Sequence, residues 1–216
     1  MALQTSVKPR KTPRQSRARA TFEAILDATA HILVAEGYAG VNTNRVAEIA
    51  GASIGSLYQY FPSKEALITS LRRRHADQMR QMLLEFASRA VQLPVAEAVK
   101  LLVHAIMQAH LIDPKLHRAL EEEVPRPDLA DGREDFDRDL NAMLKMLLTA
   151  YQKDILPTDL DLASVVLMRT VDTLVHAALI DDTPGITAEA MEREIVAIVL
   201  RYLLGEAGGA ASRARG

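Results

Sequence analysis

The chain has 216 residues, 49% of them hydrophobic and 25% charged, with only 4% aromatic residues and no Trp. The material suffices for one large domain or a small and a medium one, and helix formers dominate over the β-branched and aromatic clusters that strands favour. The absence of cysteine excludes a disulfide scaffold, thiolate metal ligands and a thiol redox switch.

The net charge of −2 hides an asymmetry. Residues 1–19 contain Lys8, Arg10, Lys11, Arg14, Arg17 and Arg19 and no acid, which leaves 20 basic against 28 acidic residues elsewhere. A basic arm on an acidic body fits a local anionic partner, and equally a solvated tail. Residues 1–15 carry Pro9 and Pro13 without apolar periodicity and are expected to be disordered. No apolar segment follows the basic start, so no secretory signal is expected. No apolar run approaches the roughly 18 residues of a membrane span, so no membrane partner is expected and a cytoplasmic protein is.

A first helix is predicted from about Arg17 to Glu36, with Phe22, Ile25, Leu26, Thr29, Ile32 and Leu33 at helical spacing. Gly37 follows where a helix end favours a left-handed residue. Asn42 is placed to cap a short second helix to Ala50, with Val46, Ile49 and Ala50 facing inward. Gly51 breaks it, Ser53 caps a third helix from Ile54 to Tyr60, and Ser63 caps a long fourth after Pro62. The fourth carries Leu67, Leu71, His75, Met79, Met82 and Phe86 on one stripe and ends before Pro94. Five more helices are predicted over 95–112, 115–124, 134–153, 159–181 and 187–204, separated by Pro and Gly. The fold class is therefore all-α, with about nine helices. The division is an arm at 1–15, a three-helix unit at 16–62, a helical domain at 63–205 and a flexible tail at 206–216.

Two short helices joined by Gly51-Ala52-Ser53 and packed on a third match a helix-turn-helix. The glycine permits the tight turn, and Ala52 lets the second helix approach closely. On these grounds alone many helical pairs never touch DNA. The stretch Gly37-Tyr38, then Val46-Ala47-Glu48-Ile49-Ala50-Gly51-Ala52-Ser53-Ile54-Gly55-Ser56-Leu57-Tyr58-Gln59-Tyr60-Phe61-Pro62-Ser63-Lys64-Glu65-Ala66-Leu67, resembles the signature of the TetR family (AcrR-like) over about Arg17 to Leu71. Beyond it, the helices resemble the family only in number, length and order.

The resemblance implies a dimeric DNA-binding regulator, a repressor by family default, whose C-terminal helices form a dimer seam and a cavity for a small, largely apolar molecule. Its partners would be a palindromic double-stranded operator, an effector and a second copy of the chain. The third helix would lie in the major groove. Tyr58, Tyr60 and Lys64 are expected at phosphates, with Thr43 beside them. Gln59 is the best candidate for reading a base, since an amide can bond adenine bidentately. Asn44 and Ser53 are weaker candidates, Ile54 suits a thymine methyl, and Gly55 allows close approach. Arginine contacts would come from Arg45 or from the arm, Arg17 included. Phe61 and Leu57 are read as core.

The seam is expected on the last two helices. Leu160, Ala163, Leu167, Thr170, Leu174 and Ala178, widened by Val166, Val171 and Val175, would meet Met191, Ile195, Ile198, Val199 and Leu203. The cavity lining is expected from Met79, Met82, Phe86, Met107, Met143, Met146 and Met168, pliable side chains that also serve as ordinary core fillers. His110 and Asp172 are polar groups inside apolar helices and are expected to orient a ligand, as are His104, Arg169 and His176. No cofactor, catalytic residue or metal ligand is assigned. His110 and His117 with Glu121 could converge on a metal, but there is no HExxH and no cysteine. His110 or His176 could serve as a general base, but no nucleophile–base–orienter set is visible.

Overall fold

A computed structural model describes residues 16–125, 130–180 and 185–205, apart from the side chains of 130–134. The arm and tail expected at 1–15 and 206–216 lie outside the described residues. Within them the chain forms helices α1 (Ser16–Gly40), α2 (Thr43–Ile49), α3 (Ile54–Tyr60), α4 (Lys64–Ala90), α5 (Val95–His110), α6 (Pro114–Glu122), α7 (Ala130–Ala150), α8 (Leu160–Leu179) and α9 (Ala188–Leu204), and no strand. They form two compact units. The first holds the residues up to Asp77 and Lys115–Asp135; the second holds Gln78–Pro114 and the residues from Phe136 onward.

In the first unit the predicted caps are all present. Asn42 Oδ1 accepts from Arg45 N at 2.9 Å, Ser53 Oγ from Ser56 N at 3.1 Å, and Ser63 Oγ from Ala66 N at 3.3 Å. Each cap satisfies an amide that the first helical turn leaves without a partner. Gly51 takes φ 62° between α2 and α3, a left-handed value that few other residues adopt. The core joins Ile25, Leu26, Ile32 and Leu33 of α1 to Val46, Leu57, Phe61, Leu67, Ile68 and Leu71, with Leu116 and Leu120 of α6 against them. Ile49, expected inward, is 46% exposed, and Ala47 is buried instead. Seven residues make only two turns, so apolar spacing alone does not fix which flank of α2 faces in. His75, predicted on the α4 stripe, is buried, with its Nε2 3.0 Å from His117 Nδ1.

Gly37 interrupts α1 at φ 73° and ψ 179°, a region that only glycine enters readily. This is more demanding than the left-handed helix end expected for it. A Cβ there would also lie 2.4 Å from Glu123 Oε2, the carboxylate oxygen that accepts the Tyr38 amide at 3.2 Å. Gly37→Ala is expected to cost about 1–3 kcal/mol through backbone strain. Urea unfolding would measure it, and a loss below about 0.5 kcal/mol would show the break to be unstrained.

In the second unit, α5, α8 and α9 share a core of Val99, Val103, Met107, Ala163, Leu167, Val171, Val175, Ile195, Val199 and Leu203. Half of the residues assigned to a dimer seam, Ala163, Leu167, Val171, Val175, Ile195, Val199 and Leu203, thus pack inside the protomer. The exposed apolar residues of α8 and α9 are Leu162, Val165 and Val166 with Ile198 and Tyr202, of which Val166 and Ile198 were among those expected at the seam. A second cluster joins Met79, Leu83, Ala105 and Ala109, with Met82, Phe86, Phe136, Leu140 and Met143 half-buried against it. Beyond Met79 the buried row of α4 continues by fours to Leu83 and Ala87, so Met82 and Phe86 flank it. The Tyr151 hydroxyl donates to Leu93 O at 2.9 Å and also to Ala90 O, tying the segment after α7 to the end of α4. Burial pushes the Tyr151 phenol above its ordinary pKa, which keeps it a donor.

The expectation that nothing here could span a membrane is corrected at α8. Its 20 residues are long and apolar enough by length and composition, with a mean hydropathy of 1.4 over the best window. Arg169 and Asp172 break the unbroken run sought in the sequence without lowering the average below that of a span. The core packing of Ala163, Leu167, Val171 and Val175 and the outer row at Leu162, Val165 and Val166 together account for this apolarity.

Candidate nucleic-acid interface and effector cavity

The helix-turn-helix presents an outer face without a formal charge on α3. Ile54, Gly55, Tyr58 and Gln59 are exposed along that helix, while Leu57, Tyr60 and Phe61 turn inward. The period follows from seven residues anchored by Leu57 at one side. Tyr58 Oη lies 3.1 Å from Thr43 Oγ1, a hydrogen bond that fixes the start of α2 against the middle of α3. Asn44 is exposed beside Thr43, and Arg17 is exposed at the first turn of α1. Gly55 has no left-handed φ, and a Cβ there would meet only Ser53 Oγ at 3.9 Å. The fold therefore does not require glycine at 55.

Four of the expected contacts are otherwise engaged. The Arg45 guanidinium forms a two-pronged ion pair with Glu36. Lys64 Nζ donates to Tyr38 O and stands 3.7 Å over the centre of the Tyr38 ring. Burial lowers the pKa of this ammonium from its ordinary value, and the Glu65 charge acts in the opposite sense. Tyr60 packs edge-on to Phe22 at 5.8 Å and belongs to the core. Ser53 Oγ is held by its own cap and by Ser56 Oγ at 2.8 Å. Lys64 was expected at a phosphate from the family resemblance and Arg45 as a possible source of arginine contacts; their partners lie 9 and 26 residues away, beyond any local pattern.

Within the second unit a cavity of about 300 Å³ opens between α4 and α7. It is lined by Arg80, Leu83, Leu84, Phe136, Asp139, Leu140, Ala142 and Met143. Arg80 Nη2 lies 3.4 Å from Asp139 Oδ2, a pair of opposite charges beside an otherwise apolar wall. Of the residues predicted to hold a ligand, Met143 lines this cavity, and Met82 and Phe86 pack into the same cluster. Met107 is buried in the core of α5, α8 and α9, and Met146 is 64% exposed. Met168 is half-buried on α8. His110 and Asp172 meet elsewhere, together with His176. The sequence reading missed Arg80 and Asp139. The row Phe136, Leu140, Met143 at helical spacing was the available signal for the α7 wall.

Residues 25–71 match the family described as bacterial regulatory proteins, tetR family, and residues 94–203 match the Tetracyclin repressor-like C-terminal domain. The chain belongs to the TetR family. It is a transcriptional regulator and not an enzyme. Its fold is shared by solved TetR-type structures of low identity. NalD of Pseudomonas aeruginosa, the secondary repressor of the MexAB-OprM multidrug efflux pump, is 17% identical with a TM-score of 0.70 over 89% of this chain and 100% of its own. SmeT, the repressor of the Stenotrophomonas maltophilia pump SmeDEF, is 20% identical with a TM-score of 0.65 over 88% and 93%. FadR from Bacillus subtilis, solved with stearoyl-CoA, is 20% identical with a TM-score of 0.67 over 82% and 97%. No curated protein matches the sequence. In this TetR-family chain, α2, α3 and the start of α4 fall within the matched N-terminal segment, and α5 to α9 fall within or beside the matched C-terminal domain.

Proposed function

We propose that this regulator acts in the cytoplasm as a homodimeric repressor, holds a palindromic operator through two copies of α3, and releases it when a small, largely apolar molecule enters the second unit. The observation that carries the DNA reading is the uncharged, exposed row Ile54, Gly55, Tyr58 and Gln59, braced on Thr43 by the 3.1 Å bond. Such a face suits a groove floor, where hydrogen-bond donors and methyl contacts discriminate bases. Thr43, Asn44 and Tyr58 would reach the flanking phosphates and Gln59 a base.

The described part of residues 16–62 adds little positive charge, because Arg17, Arg19 and Arg45 are offset in number by Glu23, Asp27, Glu36 and Glu48, and Arg45 is itself paired with Glu36. The arm, with Lys8, Arg10, Lys11 and Arg14, would therefore supply most of the salt-dependent attraction. Arg45 and Lys64 would join only by exchanging Glu36 and Tyr38 for phosphate.

The effector reading rests on the cavity of about 300 Å³, at the small end of ligand sites, with its apolar wall and one ion pair. Helix α4 belongs to both units, since it runs from Lys64 to Ala90 across the division at Asp77. A ligand that displaced Leu83 and Leu84 would shift that helix and, with it, the separation of the two recognition helices. Only different ligand affinities of the bound and free forms can drive release.

Gln59→Ala tests the reading. It is expected to relax preference at one base pair per half-site at a cost of about 1–3 kcal/mol, with the rest of the operator read as before. Binding-site selection with wild type and variant would show it; an unchanged preference at every position would remove Gln59 as a reader.

A further inference from the structure

We propose that His110, Asp172 and His176 supply ligands to a divalent transition-metal ion of the zinc class. The three residues come from α5 and α8 of the second unit. Met107, Val171 and Val175 share one buried cluster, so the two helices are packed at this level. His110 follows Met107 by one turn, and Asp172 and His176 stand four apart on one flank of α8.

Their ligand atoms converge. Asp172 Oδ1 is 4.0 Å from His110 Nε2 and 3.7 Å from His176 Nε2. The imidazole rings meet edge to face with centroids 5.1 Å apart. Around a tetrahedral zinc with bonds of about 2.0–2.1 Å, neighbouring ligand atoms are about 3.3 Å apart. The two Asp172 distances exceed this by about 0.4 and 0.7 Å, a gap that side-chain rotation can close.

A second observation concerns His110 alone. Its ring is buried, and Nδ1 lies 2.8 Å from Ile106 O. A carbonyl can only accept, so Nδ1 carries the proton and, in the neutral ring, the lone pair sits on Nε2, facing Asp172. A main-chain carbonyl that fixes the other ring nitrogen is the usual support of a metal-bound histidine. Two imidazole nitrogens and one carboxylate favour Zn²⁺, Ni²⁺, Co²⁺ or Cu²⁺ over Mg²⁺ or Ca²⁺. His110 side-chain exposure is 5%, that of His176 is 21% and that of Asp172 is 40%, so an ion could enter from the Asp172 side. The sequence had marked these three groups as orienters of an organic ligand, had weighed His110 for a metal only with His117 and Glu121, and had not brought Asp172 or His176 to it.

The site stands independently of the DNA reading, and its test does not involve DNA. Full-length protein stripped with chelator is titrated with Zn²⁺ by calorimetry, and with Co²⁺ followed by its visible ligand-field bands. One ion per protomer is expected. Asp172→Asn and His176→Gln should each weaken binding at least about 10-fold and shift the Co²⁺ spectrum. His104→Gln, a histidine paired with Glu192 at 3.1 Å, should leave both unchanged. His110→Gln is read only if its circular dichroism matches wild type, because His110 is buried; the two half-exposed α8 variants carry the decision. Absence of saturable binding, or wild-type affinity in either Asp172→Asn or His176→Gln, would overturn the proposal.

Discussion

Phe61→Ala is expected to destabilise the first unit by about 3–5 kcal/mol. Phe61 is fully buried, its ring centroid lies 4.8 Å from that of Phe22 and 6.3 Å from that of Tyr60, and its amide donates to Leu57 O at 2.8 Å to close α3. Alanine would keep the amide bond and remove the ring that holds α1, α3 and α4 together. The loss is a large share of the roughly 5–15 kcal/mol that keeps a domain folded. Urea unfolding followed by circular dichroism should show a lower midpoint with a similar slope. A loss under about 1 kcal/mol would mean that the aromatic cluster does not carry the helix-turn-helix.

The second large effect is expected at the outer face of α8 and α9. Leu162, Val165 and Val166 are 59%, 45% and 38% exposed, and Ile198 and Tyr202 are 38% and 36% exposed. Exposed apolar side chains on two adjoining helices fit an association face. Val166→Arg combined with Ile198→Arg should give a folded monomer, because neither position is needed by the protomer's own core. Operator binding should fall by about 10³-fold, toward the nonspecific level, once two half-sites are no longer engaged together. Light scattering and a DNA titration measure the two effects. A dimer that survives both charges would place the interface elsewhere.

The helices were legible because they announce themselves locally. Asn42, Ser53 and Ser63 each cap the helix that follows, and Pro94, Pro114 and Pro157 punctuate the rest. The exposed row on α3 was legible for the same reason, since Leu57 and Phe61 fix the inward side. Long-range pairing was not. Nothing near Arg45 or Lys64 in sequence indicates that Glu36 and Tyr38 would take them. The seam and the core of α8 share one apolar composition, and only packing separates Leu167 and Val171 from Val165 and Val166. The methionines divided likewise: Met143 reaches the cavity, Met107 fills a core and Met146 faces out. A flexible apolar side chain suits all three places, so its type does not choose among them.

The most direct test of the account is selection of binding DNA from a random duplex pool by the full-length protein, with its oligomeric state measured in the same buffer. The account predicts a dimer that enriches an inverted repeat whose half-site centres lie about one helical turn apart or slightly more. Enrichment of no sequence, or of a single unpaired site bound by a monomer, would contradict it.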